Sequence, residues 1–399
     1  MRHMGLLEMI RKACHYAVLA AILLGVPAIC AHLSGDSEIW EGVKSFPPRT
    51  EDWGFHSEKL WSNRCPFSWP WFLGLALFTI STMRPFVVRW AKAMARRRRE
   101  RPKAAARRFP WWGWAGVAEL AAAWVLAWGK FDCLSSIQPL ISYMPLWIGY
   151  IVIVNALCVM RSGTSPLTRR PGAYLLTFPA SALFWWFFEY LNRYVWNWYY
   201  LGVSHMSAAE YMFFATICFS SVLPAVSATA AFLHTFDSFA DENYSGMAKL
   251  DVRGWRTTAF LFAVAATGLA GIAFAPQWTF PLLWLSPLAV FVLLQALFRE
   301  ESAFDAFKAG NWSLAFRYAV AALVCGLAWE TWNFYAAAKW VYSVPYVHAF
   351  QMRCRCWASP GTFPSALSAP PSLRGYVPTL WRNENACLTP LTVSGEAER

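Results

Sequence analysis

Nine stretches of the chain run almost free of charge over about the 20 residues that a bilayer core demands of a helix. They cover residues 13–33, 70–90, 111–130, 144–160, 174–200, 208–232, 256–275, 279–298 and 315–342. None shows the strict alternation that a lipid-facing β-strand needs. Backbone groups in hydrocarbon must bond within their own segment, so helices are the remaining solution. The sequence therefore predicts an all-α fold, a polytopic transmembrane bundle of about nine helices. Composition agrees: 57% of the 399 residues are hydrophobic and 15% charged, where soluble domains carry about a quarter. A disordered chain, a collagen and an ordinary soluble enzyme are excluded.

The basic residues set the expected orientation. With the N-terminus in the cytoplasm, cytoplasmic segments hold 22 Lys and Arg and external loops 5, as the positive-inside rule requires. The first apolar stretch follows Arg2, Arg11 and Lys12. It lacks a small-residue cleavage site and is long enough to span, so it reads as an uncleaved helix. The net charge of +12 is concentrated in the loop from Arg96 to Arg108. No aromatic or glycine interleaving there suggests nucleic acid, so this loop is expected to face anionic lipid head groups.

The most informative feature is a self-similarity 141 to 142 residues apart. Phe188-Glu189-Tyr190-Leu191-Asn192 is followed by Trp198-Tyr199-Tyr200, and Trp329-Glu330-Thr331-Trp332-Asn333 by Trp340-Val341-Tyr342. A weaker echo, Asn155-Ala156-Leu157 against Gln295-Ala296-Leu297, lies upstream. The chain thus divides into two N-terminal helices with their loops (1–109), a first repeat (110–255), an incomplete second repeat (256–350) and an irregular tail (351–399). Four helices per unit give both copies the same orientation, and transporters often place their sites where repeats meet.

Glu and Asn three apart share a helix face. A carboxylate in mid-membrane costs roughly 2.5–3.5 kcal/mol, and such residues normally face the bundle interior or a polar cavity. Glu189, Asn192, Glu330 and Asn333, with Asn155 and the unrepeated Glu119, form a candidate membrane-embedded polar site. It suits proton movement, cation binding or acid–base catalysis; interhelical glue is the competing reading. Asn beside Glu is expected to fix the carboxyl rotamer. Trp198, Tyr200, Trp340 and Tyr342 are read as lying at outer helix ends, either in an interfacial aromatic belt or as the aromatic lining of a ligand site. Arg193 and Lys339 are read as reaching toward the interface, with pairing to an embedded carboxylate as the alternative. His205 and Glu210 are placed at an expected external helix start, where a carboxylate favours the helix dipole.

No GxGxxG, P-loop, HExxH or GxSxG occurs, and neither the seven His nor the ten Cys have metal spacing. No cofactor or metal is expected. Cys30 and Cys65 flank the first external loop, where a disulfide and two buried thiols both fit. After Tyr342 the character changes: residues 351–399 are rich in Pro, Ser, Arg and Cys and hold no helix-length apolar run, although the repeat calls for another helix. A frameshift in the coding sequence accounts for both observations; a disordered external tail is the alternative.

Pro145-Leu146-Trp147-Ile148-Gly149-Tyr150 with Asn155-Ala156-Leu157, and the two Glu-x-x-Asn segments, give a further indication. Over roughly residues 140–350 the chain resembles a family of uncharacterised bacterial polytopic membrane proteins. The resemblance implies a bacterial inner-membrane location and brings no established activity. It also implies that the last motif continues into another apolar helix, which this chain lacks. Three functions stay open: transport of a small solute or ion, an acid–base enzyme acting on a lipid or isoprenoid, and a non-catalytic membrane scaffold.

Overall fold

The computed structural model describes residues 6–46, 64–97, 107–129, 138–203, 206–300, 302–336 and 338–347. Most of the basic Arg96–Arg108 loop, His205 and the tail at 351–399 lie outside the described residues. The architecture is helical, with one two-stranded ribbon. In chain order the helices are α1 (Leu6–Ser34), α2 (Ser37–Lys44), α3 (Trp69–Arg97), α4 (Trp111–Trp128), α5 (Gln138–Ser162), α6 (Pro166–Arg169), α7 (Pro171–Leu175) and α8 (Thr177–Val195). Strand β1 (Trp198–Leu201) follows, then α9 (Ala208–Phe219), α10 (Val222–His234), α11 (Trp255–Phe274), α12 (Pro276–Thr279), α13 (Leu282–Leu297), α14 (Ser313–Phe334) and strand β2 (Lys339–Tyr342).

Six helical stretches are long and apolar enough to cross a bilayer: Arg11–Ser34, Trp69–Arg96, Tyr143–Ser162, Ala208–His234, Trp255–Phe274 and Ser313–Phe334. The chain is a helical membrane protein. The other three expected spans are α4 with 18 residues, α8 with 19 and α13 with 16. Two expected spans also run past the C-terminal ends of their helices. The apolar run 174–200 resolves into α7, α8 and β1, and 315–342 into α14 and β2. Trp-Tyr-Tyr and Trp-Val-Tyr are as apolar as the helices they follow, so hydropathy carries no boundary there.

Packing follows from where large side chains are absent. Gly116 of α4 meets Gly149 of α5, where an added Cβ would lie 2.8 Å from the Leu120 nitrogen, and Gly113 of α4 faces Ala156 of α5. Small residues let the two backbones approach, which is how membrane helices associate without a hydrophobic drive. In contrast, α3 shows its apolar side chains outward, with Leu77, Phe78 and Ile80 all more than 60% exposed, as a lipid-facing helix should. α8 is the opposite case: every residue from Phe188 to Val195 is buried. Around it pack Ala31 of α1, Ile39 of α2, Ile272 of α11 and Leu283 of α13. A helix end enclosed on all sides belongs to the core, and this one carries the first Glu-x-x-Asn. At the other end α1 is tied to the chain beyond α13, where His15 Nδ1 lies 2.8 Å from Glu300 Oε2 and its ring stacks on Phe298.

The loops at the end opposite the ribbon interlock. Arg89 of α3 donates to the carbonyls of Asn243 and Ser245, and Trp312 donates its backbone N–H to Tyr244 O. Arg317, buried at the start of α14, donates to Phe239 O and to the Asp241 carboxylate. That ion pair holds the Asp241 carboxyl below the usual carboxylate range.

Candidate functional site

The two Glu-x-x-Asn segments end their helices in the same way. Asn192 accepts from the Asn197 backbone N–H at 2.7 Å and donates to Trp198 O at 2.9 Å. Asn333 accepts from the Trp340 N–H at 3.1 Å and donates to Trp340 O at 3.0 Å. Each amide therefore satisfies backbone groups left over where its helix stops, instead of fixing the Glu rotamer as expected. The Glu is reached from the strand: Tyr200 donates its hydroxyl to Glu189 Oε1 at 2.5 Å, and Tyr342 donates to Glu330 Oε1 at 2.7 Å. Trp198 Nε1 adds a second bond to Glu189 Oε1 at 3.0 Å.

Between Asn and the following Trp lie five residues in the first segment and six in the second. The shorter connection is made by Trp196 in the left-handed region, at φ 51°. A bulky residue held there is strained. The Asn192 carbonyl, which accepts from the Trp196 N–H at 2.8 Å, and the ring's stack on Tyr199 hold it in place.

The strands that carry these residues pair with each other. β1 and β2 run antiparallel with Trp198 opposite Tyr342, Tyr199 opposite Val341 and Tyr200 opposite Trp340. Since side chains alternate along a strand, Trp198, Tyr200, Trp340 and Tyr342 share one face of the ribbon. Sequence-equivalent Tyr199 and Val341 are also cross-strand partners.

Against that face lies a cavity of ≈ 100 Å³ enclosed by α4, α5, α9, α14 and the ribbon. Its wall is aromatic and aliphatic, with Tyr143, Tyr200, Tyr211, Trp329, Trp332 and Trp340 among the lining residues. Of the four aromatic candidates, Tyr200 and Trp340 line it; Trp198 and Tyr342 do not. Lys339 is the one charged group among the described lining residues. It sits half-buried in the cavity wall, whereas Arg193, instead of reaching the interface, is buried at 2% exposure.

Neither carboxylate lines the cavity, but Glu189 is one hydroxyl away through Tyr200. Glu189 is fully buried, and its Oε2 meets no donor among the described residues. Glu330 is only half-buried. The remaining candidates fall elsewhere. Asn155 is a packing residue, donating to Ile151 O and Tyr174 Oη and accepting from the Leu167 N–H. Glu119 is half-buried in α4 and outside the cavity lining. Glu210 stands in the first turn of α9, at the expected helix start, and its capping partner is Ser207, which sequence reasoning does not single out. Cys30 and Cys65 are free thiols. Among the described residues no group of three His, Cys, Asp or Glu could hold a metal ion.

Helix lengths and this aromatic-walled site define the class, a polytopic helical membrane protein with a cavity beside its ribbon. No protein-family model matches the chain, and no curated protein or solved structure matches it significantly.

Proposed function

We propose that the protein is a membrane transporter for a small solute or ion, with its binding space beneath the β1–β2 ribbon and Glu189 as its proton-linked group. The observation that carries this reading is Tyr200, which walls the cavity and bonds the buried carboxyl at 2.5 Å. A proton taken up by the Tyr200 oxygen from the cavity side is matched by one passed to Glu189 Oε1. Tyr200 then stays neutral, and the charge of Glu189 changes with occupancy of the cavity. Buried ionisable groups in membrane helices serve this purpose in pumps and transporters.

In this reading the two Glu-x-x-Asn…Trp-x-Tyr segments are copies of one unit, related by a pseudo-twofold axis between Tyr199 and Val341. The matching bonds from Asn to the strand and from Tyr to Glu support that relation, as does the self-consistent register. α4, α8 and α13 then complete nine membrane segments. The N-terminus lies in the cytoplasm of a bacterial inner membrane, the ribbon at the outer side, and the Arg96–Arg108 loop against anionic head groups. A cavity of ≈ 100 Å³ is smaller than the engineered one of about 150 Å³ that admits benzene. It favours a small solute over an isoprenoid.

The test uses proteoliposomes loaded with the pH dye pyranine and challenged in turn with sodium, potassium, amino acids, organic acids and organic cations. At least one class should drive a change in lumenal pH that Tyr200→Phe, which keeps the ring and removes the relay hydroxyl, abolishes. Folded protein that moves no protons with any class, or a Tyr200→Phe variant as active as the parent, overturns the proposal.

A further inference from the structure

The cavity wall has a chemical bias that its aromatic character hides. Lys339 lines it and has no ion-pair partner among the described residues. The indole N–H groups of Trp329, Trp332 and Trp340 are sealed within the wall, so Lys339 is the charged donor that a bound solute meets among the described lining residues. The Tyr200 hydroxyl already gives its hydrogen to Glu189. No carboxylate, carboxamide or imidazole is present among the described lining residues to offset the ammonium, which is a donor only. A cation, which an aromatic wall would otherwise welcome, is repelled by Lys339.

We infer that the cavity binds a small monocarboxylate, with Lys339 holding the carboxylate and the aromatic and aliphatic wall enclosing a short alkyl chain. This rests on the transport reading only for its purpose; the binding site stands on the cavity itself. Leu146, Val203, Met206 and Phe214 supply the apolar surface. That surface favours an organic acid over phosphate or chloride, which offer no apolar body to bury. A space of ≈ 100 Å³, against about 150 Å³ for an engineered cavity that admits benzene, limits the ligand to an acid of a few carbons.

Equilibrium binding of radiolabelled butyrate to the purified full-length protein in lipid nanodiscs tests this directly. Unlabelled butyrate should displace the label, whereas butyramide, of the same shape without charge, and inorganic phosphate should not at the same concentration. Lys339→Met should weaken butyrate binding by about tenfold or more, the loss of roughly one charged contact. Lys339→Arg, which keeps the charge, should retain most of it. Undetectable butyrate binding, equal competition by butyramide or phosphate, or a Lys339→Met variant that binds like the parent overturns the assignment. The two proposals fail separately. Butyrate bound without solute-driven proton movement removes the transport reading alone; solute-driven proton movement without butyrate binding removes the ligand class alone.

Discussion

Replacing Glu189 by Gln removes a charge from a side chain that is fully buried and takes two bonds, from Trp198 at 3.0 Å and Tyr200 at 2.5 Å. A hydrogen bond to a charged acceptor contributes about 1.5–3 kcal/mol and a neutral one about 0.5–1.5. Two such bonds lose about 2 kcal/mol together when the carboxylate becomes an amide. The new NH₂ takes the place of Oε2, where no partner stands among the described residues. If it stays unpaired, that adds about 1–3 kcal/mol. Removing the buried charge also relieves part of its desolvation cost, so Glu189→Gln should destabilise the protein by about 2–3 kcal/mol. The same change at Glu330 touches one bond, from Tyr342, on a half-buried side chain. It should cost about 1 kcal/mol, because water receives the new amide. Unfolding titrations in mixed micelles of increasing SDS fraction, followed by circular dichroism, measure both. Equal losses for the two variants would refute the argument that burial and donor count, not the shared motif, set the cost.

Two further outcomes follow from the packing and the loops. The Asp241 carboxyl is held low chiefly by its hydrogen bond from Arg317, so it stabilises the fold above the ordinary Asp value of about 3.9. That contribution is lost as pH falls through the depressed folded value. Asp241→Asn should lower stability at pH 7 and flatten its acid limb, and parallel acid limbs for parent and variant would contradict this. Gly149→Ala places a methyl 2.8 Å from the Leu120 nitrogen and 2.9 Å from Gly116 O, so it should cost about 1–3 kcal/mol by forcing α4 and α5 apart. Gly326→Ala in α14 meets nothing within 4 Å and should be neutral or gain about 0.5–1 kcal/mol. Thermal unfolding of the pair in detergent decides it, and a Gly149→Ala protein as stable as the parent would count against close helix contact.

The sequence exposes much of this architecture because a bilayer demands a signal that hydropathy records. Six of the nine apolar stretches form helices long enough to cross. The ribbon was hidden for the same reason: Trp198-Tyr199-Tyr200 and Trp340-Val341-Tyr342 prolong apolar runs, and nothing local separates a strand from one more helical turn. Glu189, Asn192, Glu330 and Asn333 are legible as a recurrent pattern, but their bonds are not. Same-face spacing suggests that Asn serves Glu, while the structure sends each Asn to strand backbone and brings a Tyr to each Glu. The cavity lay beyond reach altogether. Its walls come from four helices and both strands between Ala127 and Trp340, and Lys339 after an apolar helix reads equally well as an interfacial anchor.

The ribbon also dictates an order of assembly. β1 is complete at Leu201, but its partner begins at Lys339. A chain inserted from its N-terminus carries β1 with an open edge, since an unpaired strand leaves a row of unmet N–H and C=O groups, until α9 to α14 have entered the membrane. Closing that gap is a long-range event of the kind that slows folding. The ribbon thus acts as a latch between the two halves of the chain. Tyr200 and Trp340 meet across it, so the cavity they wall exists only once the latch has closed.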